Sequence, residues 1–242
     1  CIRTFTKSYG NISMSSVTPD MIRVHLQKYK YGHSQNSVRS RFQAFFKYFV
    51  LNKLLKFDPT PKLEVVHVDE KEIDILTCDE VRLWMKESVG GNRQKQPYTA
   101  VFALLFFAGI RPREVSRMVW EQIRHDTGSI EIPGEIAKTR KTRYLHDLPD
   151  NLWSWLPTGR KGPIVSGLGA IQMQRVRMRE RTSKLRWSHD VARHSFCTYA
   201  YWRGIEWAMR ISGHRNFSTY IRHYVDPRQS TTKESEEYFS II

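Results

Sequence analysis

The feature that most constrains this chain is an apolar run near its middle. Residues 100–110 read AVFALLFFAGI, eleven residues without a charge or a strongly polar side chain. A bilayer span needs roughly 20 apolar residues, so the run is too short to cross a membrane. Because it is apolar on every side when wound as a helix, the segment from Tyr98 to Ala108 is predicted to be a buried helix that ends at Gly109.

The composition is that of a folded protein. Of the 242 residues, 40% are hydrophobic and 12% aromatic, which excludes a low-complexity disordered chain and suffices for one large domain or two modest ones. The three cysteines have no zinc-ligand spacing and leave one thiol unpaired, which favours a reducing compartment over a disulfide scaffold. The first residues lack the apolar core of a signal peptide, and the missing initiator methionine leads us to expect a fragment of a longer protein.

The charge is strongly basic and unevenly distributed. Lysine and arginine total 39 against 24 acidic residues, which gives a formal net charge of +15 and a pI of about 9.9. Residues 1–62 hold 11 basic and 2 acidic residues. Such a surface binds polyanions through counterion release, although many basic proteins use their charge only for solubility. The asymmetry and the interleaved aromatic residues favour nucleic acid as the partner.

The first 62 residues are predicted to be helical. Thr18 is the expected N-cap of one helix, with Pro19 at its first position, and Ser37 is the expected start of a second. Apolar residues recur at helical spacing in the second helix, and we expect them to form core rather than a base-stacking platform: Val38, Phe42, Phe45, Phe46, Phe49 and Leu54. The basic side chains among them are the candidate phosphate contacts: Arg39, Arg41, Lys47 and Lys53.

A composition change marks the end of this basic segment. Two prolines in Asp58-Pro59-Thr60-Pro61 resist helix, and an acidic stretch that reaches Asp74 follows. We therefore expect a helical domain over residues 1–62, a linker over 63–72 and a second domain with a C-terminal tail over 73–242.

The second domain is predicted to be mostly helical with one small sheet. Thr77 and Glu80 have the spacing of a capping box. Residues 129–132 and 143–146 alternate as short strands, and the polar connection between them carries Lys138, Arg140 and Lys141. The fold class expected for the whole chain is mainly α with a small antiparallel β-sheet (α+β).

Four local patterns carry the candidate chemistry. In AGIRPREV, residues 108–115, Arg111 emerges at a helix break, where it either grips a phosphate with two parallel bonds or pairs with Glu114 on the surface. In WSHDVARHSF, residues 187–196, a spacing of four puts His189 and Arg193 on one helix face if the helix has already begun there. The third pattern is Gly213-His214 followed by His223-Tyr224, and the fourth is Lys138. The histidines lack the spacing of a metal motif, so no metal site is predicted.

Taken in this order, the patterns resemble those of the tyrosine recombinase (phage integrase) family. The most specific pieces are residues 108–115, Arg193-His194-Ser195-Phe196, and the pair Gly213-His214 and His223-Tyr224. The resemblance implies a helical core-binding domain and a mixed catalytic domain that close as a clamp around double-stranded DNA. It also implies cleavage of one strand at a time through a 3′-phosphotyrosine, without a metal or a high-energy cofactor.

The resemblance gives each candidate a role. Arg111 and Arg193 are expected to clamp the scissile phosphate, where fixed donors stabilise the charge of the transition state. Tyr224 is the expected nucleophile, helped by neighbouring histidines and guanidiniums because a tyrosine phenol ordinarily has a pKa of about 10. Lys138 is the expected general acid for the leaving 5′-oxygen. The catalytic set is completed by His214 and His189, and further DNA contacts are expected from Arg140 and Lys141.

Two positions depart from the family pattern. The family usually has a histidine three residues before the second arginine, where this chain has Asp190, so either His189 shifts into the site or Asp190 takes that place. The interval from His214 to Tyr224 is also about one residue longer than usual, which leaves Tyr220 as a weaker candidate nucleophile. Tyr224 is preferred because His223-Tyr224 matches the His-Tyr ending of the family.

Three functions remain open from the sequence. The preferred one is a site-specific recombinase of a mobile element, cytoplasmic and associated with the nucleoid, working as a dimer or tetramer on DNA. A catalytically degenerate relative would bind DNA without cutting it, and an enzyme like type IB topoisomerases would relax arbitrary supercoiled DNA as a monomer. The apolar tail over residues 234–242 is too short to be a stable helix alone. We expect it to dock on a neighbouring copy, and the alternative is that it folds back onto its own domain.

Overall fold

The computed structural model describes residues 2–10, 12–69, 72–90 and 96–242. The chain divides into two compact units, Cys1–Lys71 and Glu72–Ile242. No helix within the described ranges is long and apolar enough to cross a membrane.

The first unit is helical. Its helices, over the residues that the structure describes, are α1 (Ile2–Tyr9), α2 (Pro19–Gln27) and α3 (Gly32–Leu51). The hydroxyl of Thr18 accepts a hydrogen bond from the amide of Met21 at 3.3 Å, so α2 begins at its predicted cap.

The third helix begins earlier than its sequence suggested. It starts at Gly32 rather than at Ser37, and no capping side chain marks this start. The additional first turn is tied to the preceding segment because the side-chain amide of Gln35 donates to the carbonyl of Tyr29 at 2.9 Å. A contact with the neighbouring chain segment therefore replaces the local cap on which the prediction relied.

A small apolar core holds the first unit together. Val38, Phe42 and Phe46 of α3 are buried in it, as their helical spacing predicted. Leu54 lies beyond the end of α3 and is 63% exposed, so its predicted place on this apolar face was wrong. Leu63, at the start of the expected linker, is buried in the same core.

The second unit is built around α5 (Gln96–Phe107). Residues 100–108 are each at most 1% exposed, which confirms the buried helix predicted from the apolar run. Thr77 and Glu80 each accept a hydrogen bond from the other's amide. This is the predicted capping box, and it begins the helix that precedes α5. The helices with the most extensive packing against α5 are α4 (Cys78–Val89), α7 (Asp150–Trp155) and α9 (Val191–Tyr201).

The second unit has five further α-helices among the residues that the structure describes. They are α6 (Pro112–Val115), α8 (Leu168–Arg181), α10 (Ile205–Ser212), α11 (Phe217–Tyr224) and α12 (Thr232–Tyr238).

A three-stranded antiparallel sheet follows α6. Its strands, in spatial order, are β1 (Ile123–Arg124), β2 (Ser129–Ile132) and β3 (Arg143–Leu145). Ile130 pairs with Ile123 on one side and with Leu145 on the other. The strand β1 was not predicted, since two residues are too few to show alternation. The predicted class, mainly α with a small antiparallel sheet, is confirmed.

The C-terminal tail packs on its own unit. Tyr238 is fully buried, donates its hydroxyl to the carbonyl of Phe106 at 2.6 Å and stacks on Tyr199 at 4.3 Å between ring centroids. The side-chain amide of Asn151 donates to the carbonyl of Ile241 at 3.2 Å. In the single chain the tail thus has the contacts of the fold-back alternative, and docking on a neighbouring copy in an assembly on DNA stays a prediction. The fold-back contacts are favoured because α5 and α9 already supply partners for the largest side chain of the tail.

Candidate active site

Arg193 is the most enclosed of the predicted site residues. It lies in α9, only 2% exposed, where its Nη1 donates to the carbonyl of Gly109 and its Nη2 to the carbonyl of Ser212, the latter at 2.6 Å. Gly109 has a φ of +57°, and the ring of Phe196 occupies the place that a Cβ would need. The guanidinium is therefore held between the segment after α5 and the end of α10.

His214, just after α10, is oriented by two partners. Its Nε2 lies 3.1 Å from Nη2 of Arg193, and its Nδ1 lies 2.8 Å from Oγ of Ser212. Because a guanidinium only donates, Nε2 is the accepting nitrogen and Nδ1 carries the proton. Burial, followed by the charge of Arg193 and of neighbouring cations, lowers the pKa of His214 to about 3. The imidazole is therefore neutral at neutral pH.

Both candidate nucleophiles lie beside His214, and the ring centroid of Tyr220 is 5.1 Å from that of the imidazole. Tyr224 lies beside Arg193 as well. It ends α11 half-buried, with its ring centroid 4.1 Å from that of His214 and 5.3 Å from the guanidinium carbon of Arg193. Tyr220, one turn earlier, is fully buried and donates its hydroxyl to the carbonyl of Cys197 at 2.9 Å. Burial raises the pKa of Tyr220, so this phenol is poorly suited to attack a phosphate.

Arg111 and Glu114 meet at the start of α6. Nη1 of Arg111 lies 3.4 Å from Oε1 of Glu114, so the ion pair considered from the sequence does form. It is not a surface pair, however, because the side chain of Glu114 is only 1% exposed and that of Arg111 only 17%.

Glu114 contacts three parts of the second unit through hydrogen bonds and ion pairs. It accepts two hydrogen bonds from Arg143, at 2.6 and 3.2 Å, and one from the amide of Lys138 at 3.1 Å. Burial alone would raise the pKa of Glu114, but the bonds and charge of Arg143, followed by the Lys138 amide and the charge of Arg111, lower it to about 2. Glu114 is thus an ionised anchor for the cations around it.

Arg143 is a site residue that the sequence analysis missed. It lies in β3 two residues before the buried Leu145, and its side chain is 15% exposed. Alternate residues of a strand share one face, so an arginine in register with a buried leucine was the signal that could have found it. Gly213 leaves room for this side chain, since a Cβ there would lie 3.1 Å from its Nε.

The connection between β2 and β3 carries three predicted cations. Lys138 is exposed, yet its amide is bound to Glu114, and its charge is among those that lower the pKa of His214. This places Lys138 at the edge of the cluster. Arg140 and Lys141 follow it and are also exposed.

The structure does not bring His189 into this cluster. Its side chain is 94% exposed, and its Nδ1 lies 3.6 Å from Oδ2 of Asp190. The predicted helix-face relation to Arg193 was wrong, because Asp190 turns the chain with a φ of +57° and α9 begins only at the next residue. The second histidine beside Tyr224, after His214, is instead His194, with the ring centroids of His194 and Tyr224 5.6 Å apart.

The four candidate cations of the first unit differ in exposure. Arg41, Lys47 and Lys53 are exposed along and just beyond α3. Arg39 is half-buried, and its Nη1 lies 3.4 Å from the carbonyl of Leu63. Arg39 is therefore partly engaged within its own unit.

The charge of the cluster in the second unit suits an anion. Arg111, Lys138, Arg143 and Arg193 carry four positive charges against the one carboxylate of Glu114. Nε of Arg143 and Nε of Arg193 are buried donors without an acceptor among the described residues. Within the same ranges, no three His, Cys, Asp or Glu side chains are grouped so that they could hold a metal ion. The geometry offers fixed donors for a tetrahedral anion, with a tyrosine beside them.

Comparisons with known proteins identify the fold. No family model matches the chain, and no curated protein matches its sequence. Among solved structures, a Tn1549 transposon integrase in complex with circular intermediate DNA has a TM-score of 0.66 at 14% identity, over 97% of this chain and 89% of that one. A lambda integrase tetramer bound to a Holliday junction has a TM-score of 0.70 at 15% identity, and the match covers 95% of this chain and 70% of that one. A lambda integrase dimer bound to a COC′ core site has a TM-score of 0.66 at 14% identity, over 99% and 86%. The chain thus has the fold of these tyrosine-recombinase integrases, and the resemblance found in its motifs extends to its tertiary structure.

Proposed function

We propose that this chain is a site-specific DNA recombinase that cuts and rejoins strands through a 3′-phosphotyrosine. The observation that carries the proposal is the meeting of Arg193, His214 and Tyr224 in one cluster, although they lie in three different segments of the chain. Support comes from the fold, which the chain shares with integrases whose structures contain DNA.

Arg111 and Arg193 are proposed to hold the scissile phosphate. Attack by a nucleophile builds negative charge on the non-bridging oxygens, and donors fixed in advance stabilise that charge more than the ground state. Arg193 is held by two backbone carbonyls. Arg111 is held by Glu114, which Arg143 in turn fixes with two hydrogen bonds. The phosphate would supply the acceptor that Nε of Arg193 and Nε of Arg143 lack within the described chain.

Tyr224 is proposed to attack the phosphorus. The half-exposed phenol releases its proton to water, the phenolic oxygen bonds to phosphorus, and the bond from phosphorus to the 5′-oxygen breaks. His214 supports this arrangement as a neutral acceptor that holds Arg193 in place. Lys138 is proposed to protonate the leaving 5′-oxygen. The phosphotyrosine retains the energy of the broken bond, so a second 5′-hydroxyl can reverse the step without a high-energy cofactor.

The other partners follow from this function. Double-stranded DNA would contact the first unit through Arg41, Lys47 and Lys53, with a smaller part for Arg39, and the second unit through Arg140 and Lys141. We propose assembly as a dimer or tetramer on DNA. The tail would link neighbouring copies only by exchanging its contacts with Phe106 and Asn151 for equivalent contacts on another copy.

The test is a search for the covalent intermediate. The chain is incubated with a pool of nicked duplexes of randomised sequence, in which cleavage near the nick releases a short strand, and products are separated by denaturing electrophoresis. We expect a protein–DNA adduct that Tyr224→Phe abolishes and Tyr220→Phe, the matched control, retains. Binding without any adduct would instead indicate a non-cutting DNA-binding protein. Relaxation of arbitrary supercoiled DNA by a monomer would indicate a topoisomerase-like enzyme.

A further inference from the structure

A cavity of about 520 Å³ lies beside the proposed phosphate site. Arg111 and Arg193 form part of its wall, and its volume is within the range of small-ligand pockets. The strand-cleavage chemistry proposed above does not use it.

The floor of this cavity is apolar and aromatic. Leu105 and Ile171 line it and are almost completely buried. Trp187 forms another wall, and its indole is packed by Trp84 and Phe106 at centroid distances of 5.0 and 6.0 Å. These packed rings keep the wall in place, so the cavity is formed before any ligand binds.

The rim of the cavity is cationic at the exposed Arg113, and further arginines line its walls. Arg113 and Arg175 join Arg111 and Arg193 among the lining side chains, against the carboxylate of Asp190. The guanidinium of Arg175 lies 5.1 Å from the centroid of the Trp187 ring. Guanidinium planes and aromatic rings are the surfaces on which nucleobases stack.

An apolar, aromatic floor beneath a cationic rim fits a nucleotide, with its base inside and its phosphate at the edge. We propose that this cavity receives one base extruded from the DNA strand being cut, from a nucleotide next to the scissile phosphate. The inference rests on the proposed function, because Arg111 and Arg193 would already hold the neighbouring phosphate. Extrusion costs the pairing and stacking of that base, and contacts in the cavity offset this cost.

The experiment uses the duplex that gives the Tyr224 adduct. A single mismatch is placed in turn at each position around the cleavage point, because a mismatched base is easier to extrude. We expect the protein to bind the duplex mismatched at one particular position more tightly than fully paired DNA, and this increase in affinity is called the mismatch gain below. Mismatches at the other positions should give no such gain. Gln172 lines the cavity from an exposed position of α8, so Gln172→Phe should fill part of the space without disturbing the core. Met173→Phe, one residue further and 53% exposed, is the matched control.

On paired DNA, Gln172→Phe should weaken binding roughly fivefold to 150-fold, as expected when one base can no longer stack. It should also remove the mismatch gain, whereas Met173→Phe should retain both. An abasic nucleotide at the extruded position should restore DNA binding by the Gln172→Phe variant, because the cavity then has no base to accommodate.

Three results would overturn the proposal in a protein that still forms the adduct: no position-specific mismatch gain, a gain that Gln172→Phe leaves unchanged, or saturable binding of a free deoxynucleoside monophosphate without any mismatch effect. The last result would make a free nucleotide the occupant of the cavity. Failure of the proposed function is distinguishable, since then no duplex forms the Tyr224 adduct, whether mismatched or paired.

Discussion

Nη2 of Arg193 and Nε2 of His214 lie 3.1 Å apart, and this hydrogen bond joins two motifs that are 21 residues apart in the chain. The histidine accepts from the guanidinium and donates its Nδ1 proton to Ser212, so both of its nitrogens are occupied. His214 therefore fixes the position of Arg193 rather than delivering a proton at neutral pH.

The first prediction concerns Arg111. Arg111→Ala should slow formation of the covalent adduct about a hundredfold or more, because it removes a fixed donor to the phosphate. The fold should persist, since Glu114 keeps its closer bonds to Arg143. Single-turnover cleavage and thermal melting measure the two effects, with the exposed Arg117→Ala as the control. Loss of cooperative melting in Arg111→Ala would make this arginine structural instead.

The second prediction concerns the proton for the leaving group. Lys138→Ala should slow cleavage of normal DNA strongly but have little effect on a substrate with a 5′-thiol leaving group, which needs no proton. Lys141→Ala removes a neighbouring exposed cation and should affect both substrates equally through binding. Equal defects of Lys138→Ala on the two substrates would exclude Lys138 as the general acid.

The third prediction concerns stability against pH. The pKa of His214 is about 3 in the folded chain against an ordinary 6.5, so the unfolded chain takes up this proton first, and stability is lost as pH falls below 6.5. The pKa of Glu114 is about 2 against an ordinary 4.5, so its contribution, of the order of 3 kcal/mol, is lost below pH 4.5.

Urea unfolding between pH 7 and 3 measures both contributions. His214→Gln should flatten the dependence of stability on pH between 6.5 and 4.5, where the contribution of Glu114 is complete and does not change. The control is His146→Gln, an exposed histidine, which should leave the slope unchanged. An unchanged slope in His214→Gln would show that this imidazole is not held neutral.

The fourth prediction concerns DNA binding by the first unit. Replacing Arg41 and Lys47 together by glutamine should weaken binding to every sequence and reduce the salt slope by roughly 0.9 for each phosphate that is no longer neutralised. Both side chains are exposed on α3, so the fold should not change. Titrations at several salt concentrations check this, with Lys233→Gln on α12 as the control. The same slope in both proteins would mean that this face is only solvated.

The fifth prediction concerns the tail. Tyr238→Ala should destabilise the free protein by about 3–5 kcal/mol, as is usual for emptying a buried aromatic site. Ile242→Ala, at a side chain that is 81% exposed, should leave the melting temperature unchanged. If instead deletion of residues 234–242 spared the melting temperature and abolished assembly on DNA, the tail would dock on a neighbouring copy.

Local features of the fold were predictable from the sequence. The capping box of Thr77 and Glu80, and the buried helix α5 with the positive-φ Gly109 shortly after its end, each depend on residues close together in the chain. The start of α3 and the two-residue β1 were not predictable, because no capping side chain marks the first and the second is too short to show a pattern.

The sequence by itself determined the type of chain: mainly helical and strongly basic, with arginine, lysine, histidine and tyrosine in the order from which we propose phosphate chemistry. Only the tertiary structure decided which of these groups meet. His194 rather than His189 lies beside Tyr224, and Tyr220 is buried. Arg143 binds Glu114, and the tail packs on its own unit. Spacing along the chain specifies helices and strands, whereas burial and charge pairing depend on residues that are far apart in sequence and become neighbours only when the helices pack.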